Sequence, residues 1–212
     1  MDQCPLCGCT NSELFDRDKA RYYRRCQTCQ LVFVPPKFHL SVADEKAIYN
    51  FHQNSAADMG YRQFLSRALV PLFSRLASQA QGLDFGCGPG PTISVIAAES
   101  GIQISNYDPY YCNNMALLQQ QYDFVTTTEV IEHVADALML LQKLDNLLKS
   151  GATLVVMTKR VIDKAAFTQW HYKRDLTHIC FYSVETFKWI AAEYNWALEI
   201  IDTDVVFFTK RI

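Results

Sequence analysis

Leu83-Asp84-Phe85-Gly86-Cys87-Gly88-Pro89-Gly90-Pro91-Thr92 decides the fold: a short apolar run enters three glycines at alternate positions and leaves into a helical pattern. Glycines let backbone approach a ligand closely, and the helix that follows offers unpaired amides and a positive dipole end. A dinucleotide fingerprint needs a further glycine where this chain has Pro91, so that class of site is disfavoured.

Downstream, short apolar runs alternate with helical segments through IQISNY, YDFVTT, ADALMLLQKLDNLLKS, TLVVMT, VETFKWIAAEY and ALEIIDTDVVFFTK. That rhythm predicts an α/β fold, a Rossmann-like and mostly parallel sheet with helices on both faces, over residues 82–212. The link from Asp108 to Tyr122 is too short for another full strand and helix. Upstream, Tyr61, Phe64, Leu65, Ala68, Leu69, Leu72 and Leu76 recur at helical spacing, so residues 37–81 read as a helical lid or linker with Pro71 at a bend or split. Trp189 and Trp196, among apolar neighbours, read as packing.

The chain has 212 residues, 50% apolar and 20% charged, with a formal charge of -2. This balance suits one main soluble domain and argues against coating nucleic acid by bulk charge. Neither a secretory signal nor an apolar run long enough for a membrane span is present, which predicts a cytoplasmic protein without a membrane partner. Five of the eight cysteines fall in the first 29 residues, and a reducing compartment disfavours disulfides for them. Cys4-Pro5-Leu6-Cys7 and Cys26-Gln27-Thr28-Cys29, separated by 18 residues, aim four thiolates at one point. A structural zinc in a ribbon over residues 1–36 is the expectation, with a rubredoxin-like iron site or a redox pair as the alternatives and Cys9 as a spectator. Arg17, Lys19, Arg21, Arg24 and Arg25, interleaved with Tyr22 and Tyr23, would make the ribbon an RNA handle; otherwise it is a folded cap.

The glycine segment resembles motif I of class I S-adenosylmethionine-dependent methyltransferases. By that resemblance Gly86, Cys87, Gly88 and Gly90 form the cofactor loop, and Asp84 orients it or reaches the methionine ammonium through water. Asp108, in Asn106-Tyr107-Asp108-Pro109, would accept the ribose hydroxyls. Tyr61 and His52, on the lid, become candidates to touch cofactor or substrate. A CxxC ribbon before such a domain resembles sugar methyltransferases of antibiotic pathways, which carry a further C-terminal domain that this sequence lacks.

Methyl transfer needs an aligned nucleophile and a place for its proton. Trp170-His171-Tyr172-Lys173-Arg174-Asp175-Leu176-Thr177-His178 is rich in such groups, and His171 and His178 are the candidate bases. Glu129, Glu132 and His133 stand at i, i+3 and i+4, so a helix starting after YDFVTT would put them on one face. With His178 they could hold a second, catalytic divalent ion. Alternatively Glu129 aids cofactor placement, Glu132 favours a helix N-terminus and His133 is buried. This EVIEH pattern with a later histidine resembles both ubiquinone-pathway O-methyltransferases and metal-dependent small-RNA 2′-O-methyltransferases. The expected function is therefore O-methylation of a small molecule, with RNA methylation as the alternative and a non-catalytic cofactor-binding regulator as the third.

Overall fold

A computed structural model describes residues 2–51 and 54–211, so His52 lies outside the described residues. The chain opens on a hairpin of β1 (Ser12–Arg17) and β2 (Tyr22–Cys26), followed by the short β3 (Val32–Phe33). Two helices come next, α1 (Val42–Tyr49) and α2 (Met59–Phe73). Then follow β4 (Gln81–Phe85), α3 (Thr92–Glu99), β5 (Gln103–Tyr107), β6 (Tyr122–Thr128), α4 (Ala137–Leu147) and β7 (Leu148–Met157). The last third holds α5 (Lys164–Gln169), β8 (Cys180–Phe181), α6 (Val184–Glu193), β9 (Trp196–Ile200) and β10 (Val205–Lys210).

Six strands form one sheet in the order β5-β4-β6-β7-β10-β9. β4 pairs parallel with β5 and β6, and β6 with β7, while β10 runs antiparallel to β7 and β9. Strand order reverses between β4 and β6, and at such a reversal the loops diverge to open a crevice at the strands' carboxyl ends. Side chains alternate across the sheet as a doubly covered sheet requires. Phe124, Val155, Met157 and Phe207 pack with Ala68 and Leu72 of α2; Val125, Leu154, Val156 and Phe208 face the opposite core with α4 and α6. Leu65, Leu69 and Leu72 are fully buried along α2, each worth about 1.5–3 kcal/mol of transfer free energy. Between Asp108 and Tyr122 stands only a 3-10 turn, Met115–Gln119, so β5 is the sheet's edge.

The second sheet, β1-β2-β3-β8, is antiparallel and takes its last strand from the far end of the chain, through Val32 opposite Phe181 and Phe33 opposite Cys180. Leu6, Tyr23 and Phe33 belong to the same apolar core as Leu83, Val125 and Leu154. So short an N-terminal segment buries little on its own, and here it borrows the core of the larger sheet.

Two local expectations are corrected. α2 runs through Pro71 without splitting into two helices, because the proline falls in the last turn and removes only one helical hydrogen bond. No α-helix starts after β6: Glu129 has φ +53°, which breaks the helical path, and a 3-10 turn over Ile131–His133 precedes α4, whose cap is Asp136.

Candidate active site

Beyond Phe85 the amides of Gly86 and Cys87 donate to the Tyr107 carbonyl at 2.8 and 3.1 Å, curling the loop over the end of β5. Gly86 and Gly88 hold φ of +85° and +65°, which side chains resist. Gly90 is required for a different reason: a Cβ there would stand 1.8 Å from the Asn54 carbonyl oxygen, so the stretch before α2 lies directly on the loop. Asp108 is buried, with Oδ2 accepting from Gly88 N at 3.0 Å and Oδ1 from the amides of Tyr110 and Tyr111 at 2.8 and 3.1 Å, which leaves one acceptor site on Oδ2. Asp84 accepts from the Thr126 hydroxyl, and burial pushes its carboxyl up to about 7, with Asp108 adding to the rise. Asp84, Gly86, Gly88 and Asp108 wall one end of a cavity of about 700 Å³ that Tyr61 and Cys87 also line, whereas Gly90 lies off the wall against Asn54. Burial raises the Tyr61 phenol to about 12.

The other end of that cavity is formed by Glu129, His133, Asp175 and His178, below Tyr49 of α1. Glu129 is fixed by its own amide, which donates to the Met157 carbonyl at 2.8 Å. The Tyr172 hydroxyl lies 3.0 Å from Glu129 Oε2, 2.5 Å from Glu132 Oε1 and 3.2 Å from Thr158 Oγ1. A phenol has one proton to donate, so bonding to both carboxyls requires one of them to be protonated. Burial drives both carboxyls in that direction, and Glu132 raises Glu129 further. His178 Nδ1 lies 2.8 Å from the Tyr172 carbonyl, which assigns the proton to Nδ1 and leaves Nε2 as an acceptor 3.8 Å from Asp175 Oδ2. Burial lowers His178, so the ring is neutral at ordinary pH.

Glu132, His133 and His178 have ligand-capable atoms within 4.8 Å of one another, and Glu132 Oε2 has no hydrogen-bond partner among the described residues. Glu129 is not part of that group; it joins it through Tyr172. The residues meet because the segment 170–178 folds back onto the turn after β6, held by Ile179 N donating to the Glu132 carbonyl at 2.8 Å, rather than by sharing a helix face. His171 stands outside the cavity wall, exposed, with its Nε2 3.3 Å from Lys159 Nζ.

Cys4, Cys7, Cys26 and Cys29 converge, with Cys4–Cys29 and Cys7–Cys26 sulfur separations of 3.5 and 3.4 Å. A tetrahedral ion with metal–sulfur bonds of about 2.3 Å would separate its sulfurs by about 3.8 Å, close to this spacing. Two tight turns shape the knuckles: Gly8 N donates to Cys4 O with Gly8 at φ +71°, and Thr28 N points at Cys26 Sγ. The basic stripe expected of an RNA handle does not form. Arg21 and Tyr23 are buried, Arg25 pairs with Glu13, Arg24 is drawn onto Ser12, and Arg17 and Lys19 are left exposed.

A family model described as a methyltransferase domain matches residues 58–200, which include the glycine loop, Asp108 and both ends of the cavity. The chain belongs to this methyltransferase-domain family. It is 36% identical over 85 residues to the ubiquinone biosynthesis O-methyltransferase of Ruegeria sp. (strain TM1040), covering 40% of this chain and 34% of that protein. The Klebsiella pneumoniae (strain 342) enzyme of the same name is 32% identical over 90 residues, covering 42% and 37%. The chain thus spans about a third of the length of the curated relatives it matches. Among solved structures, a chain from the complex of the Haloferax volcanii Trm112 methyltransferase activator with a methyltransferase aligns at TM-score 0.51 and 9% identity, over 80% of this chain and 98% of that one. An Archaeoglobus fulgidus SAM-dependent methyltransferase aligns at TM-score 0.49 and 19% identity, over 67% and 76%. These likenesses concern the fold.

For a member of this family the site also contains residues whose individual roles the sequence does not show. Tyr172 and Asp175 belong to the loop that their company with two histidines marks as functional, but only the fold shows that Tyr172 joins two carboxyls and that Asp175 faces His178. Tyr110 and Tyr111 follow Asp108 and Pro109 and line the cavity, a position recoverable from their place after β5. Nothing local marks Arg21. No helix among the described residues is long and apolar enough to cross a membrane.

Proposed function

We propose that this protein transfers a methyl group from S-adenosylmethionine to an oxygen atom of a small molecule. The observation that carries the reading is one cavity that joins the glycine loop and Asp108 to the neutral His178 imidazole. The fit of the cofactor is supported by the cradle: Gly86, Cys87 and Gly88 give close backbone, Gly90 lets the Asn54 stretch pack against the loop, Asp108 offers its carboxylate to the ribose, and Asp84 and Tyr61 stand toward the amino-acid portion. S-adenosylmethionine supplies an electrophilic methyl on a positively charged sulfur. The chain's own work is to orient an acceptor hydroxyl and take its proton, for which the His178 Nε2 lone pair is placed and Asp175 stabilises the resulting imidazolium. Tyr49, packed edge-on against His133 at 5.3 Å, lines the acceptor end of the cavity. The spent arginines of the ribbon favour a small acceptor over RNA. The four N-terminal thiolates take a structural zinc in the same reading, and a reducing, cytoplasmic setting keeps them available. Methyl-labelled cofactor offered to metabolite extracts and, separately, to RNA pools tests the assignment; label in RNA alone would overturn it, and label in neither would favour a non-catalytic regulator.

A second reading is favoured by the partnerless Glu132 Oε2 beside His133 and His178. A carboxylate and two imidazoles suit a divalent cation, whose chemistry would be to acidify a bound hydroxyl. Binding then requires Glu132 ionised, so Mn²⁺ affinity followed by electron paramagnetic resonance should strengthen from pH 6 to pH 8 and vanish in His133→Ala. Full turnover in excess chelator would return the proton to His178.

A further inference from the structure

Arg21 stands at the tip of the β1–β2 hairpin, yet only 3% of it is exposed. Its Nε donates to the Tyr23 hydroxyl at 3.1 Å, Nη1 to the Leu176 carbonyl at 2.9 Å, and Nη2 to the carbonyls of Lys173 and Asp175 at 2.9 and 2.8 Å. Four of its five N–H bonds are committed, as a buried guanidinium requires. Three partners are backbone carbonyls at and just beyond the C-terminal end of the 3-10 turn His171–Arg174, where helical geometry leaves carbonyls without partners and favours a cation. Two further ties bind the same segment to the ribbon sheet. Lys173 Nζ forms a buried ion pair with Asp16, and Val34 N donates to the Ile179 carbonyl at 2.8 Å where β3 meets β8. Between these ties lie Asp175 and His178, with Tyr172 immediately before Lys173.

We infer that Arg21 is a positioning residue for the acceptor face of the cavity, so that the N-terminal sheet forms part of the site's framework. Fixing the carbonyls of Lys173, Asp175 and Leu176 fixes the bend that aims His178 Nε2 and the Asp175 carboxylate at the cavity. The cofactor face is independent of it, since Asp84, the glycine loop and Asp108 make their hydrogen bonds among β4, β5 and β6. Lysine cannot take the place of Arg21, because three donors on one atom do not span carbonyls spread along a bend. The catalytic consequence rests on the methyl-transfer reading above; the clamp does not.

The test uses full-length protein with Arg21→Met and Arg21→Lys. Backbone hydrogen exchange at Thr177 and His178, the His178 ring tautomer by ¹⁵N NMR, and S-adenosylhomocysteine affinity by calorimetry are compared with the parent. In Arg21→Met, exchange at both amides should rise at least tenfold and His178 should lose its single Nδ1–H form, while the Kd for S-adenosylhomocysteine stays within twofold. Arg21→Lys should fall between. Parent-like exchange and tautomer in either folded variant would overturn the inference, as would a loss of S-adenosylhomocysteine affinity as large as the gain in exchange. Should Arg21→Met not fold, Arg21→Lys is read by the same criteria. Failure of the parent to bind S-adenosylhomocysteine would undo the proposed function, and the exchange and tautomer measurements would still decide the role of Arg21.

Discussion

Thr126 on β6 donates its hydroxyl to Asp84 on β4 across 2.9 Å, inside the sheet and next to the glycine loop. One neutral donor does not offset full burial, and the Asp84 carboxyl rises from 3.8 to about 7. A carboxyl whose folded pKa is raised contributes its stability below the unfolded value, and loses it as pH climbs through the folded one. Asp84→Asn should therefore match the parent at pH 4 and be more stable at pH 8, by at most about 4 kcal/mol. Urea unfolding at the two pH values measures this. If the cofactor's ammonium approaches Asp84, binding at pH 6.5 also releases protons, seen as heats that differ between buffers.

Asp108 holds three loop amides, so its loss disturbs the loop as well as any ribose contact. Asp108→Ala should weaken S-adenosylhomocysteine at least tenfold, since a single hydrogen bond to a charged group contributes about 1.5–3 kcal/mol. Calorimetry with unchanged affinity would remove Asp108 from the cofactor site.

His178→Ala should lower kcat by about 10²- to 10⁴-fold with the cofactor affinity retained, the range expected when a general base is removed. His171→Ala should stay near the parent, because that ring is exposed outside the cavity wall. Equal losses in the two variants would contradict the assignment of the base.

Protein purified under reducing conditions should carry one zinc per chain by elemental analysis, and Cys26→Ser should abolish it. Because Cys26 ends β2 and its sheet shares the main core, the variant should also lose thermal stability. Iron in place of zinc would keep the site but change its ion; neither metal would refute it.

Much of the fold could be read from local patterns. Alternating strands and helices after residue 82, the shortened link after Asp108 and the periodic apolar face of α2 all follow from spacing, because burial on a repeating surface leaves a repeating trace. The helix expected at Glu129 failed because the residue takes a left-handed φ with its amide bonded to Met157 of β7 and its carboxyl to Tyr172, partners distant in sequence that no helical spacing records. Pro71 misled in the opposite way: its cost depends on how many helical bonds remain beyond it, and here the helix was about to end.

Local chemistry alone was enough for the glycine loop and the four-cysteine cluster, since backbone conformation and ligand spacing are constraints among near neighbours in the chain. Which histidine faces the cavity, which carboxyls share Tyr172 and where the ribbon's arginine is spent were settled by the returning chain. Arg21 and the Lys173 carbonyl are separated by 152 positions, and their meeting depends on β8 closing the N-terminal sheet. A hydrogen bond of that span leaves no periodicity, because neither partner's neighbours need to change for it to form.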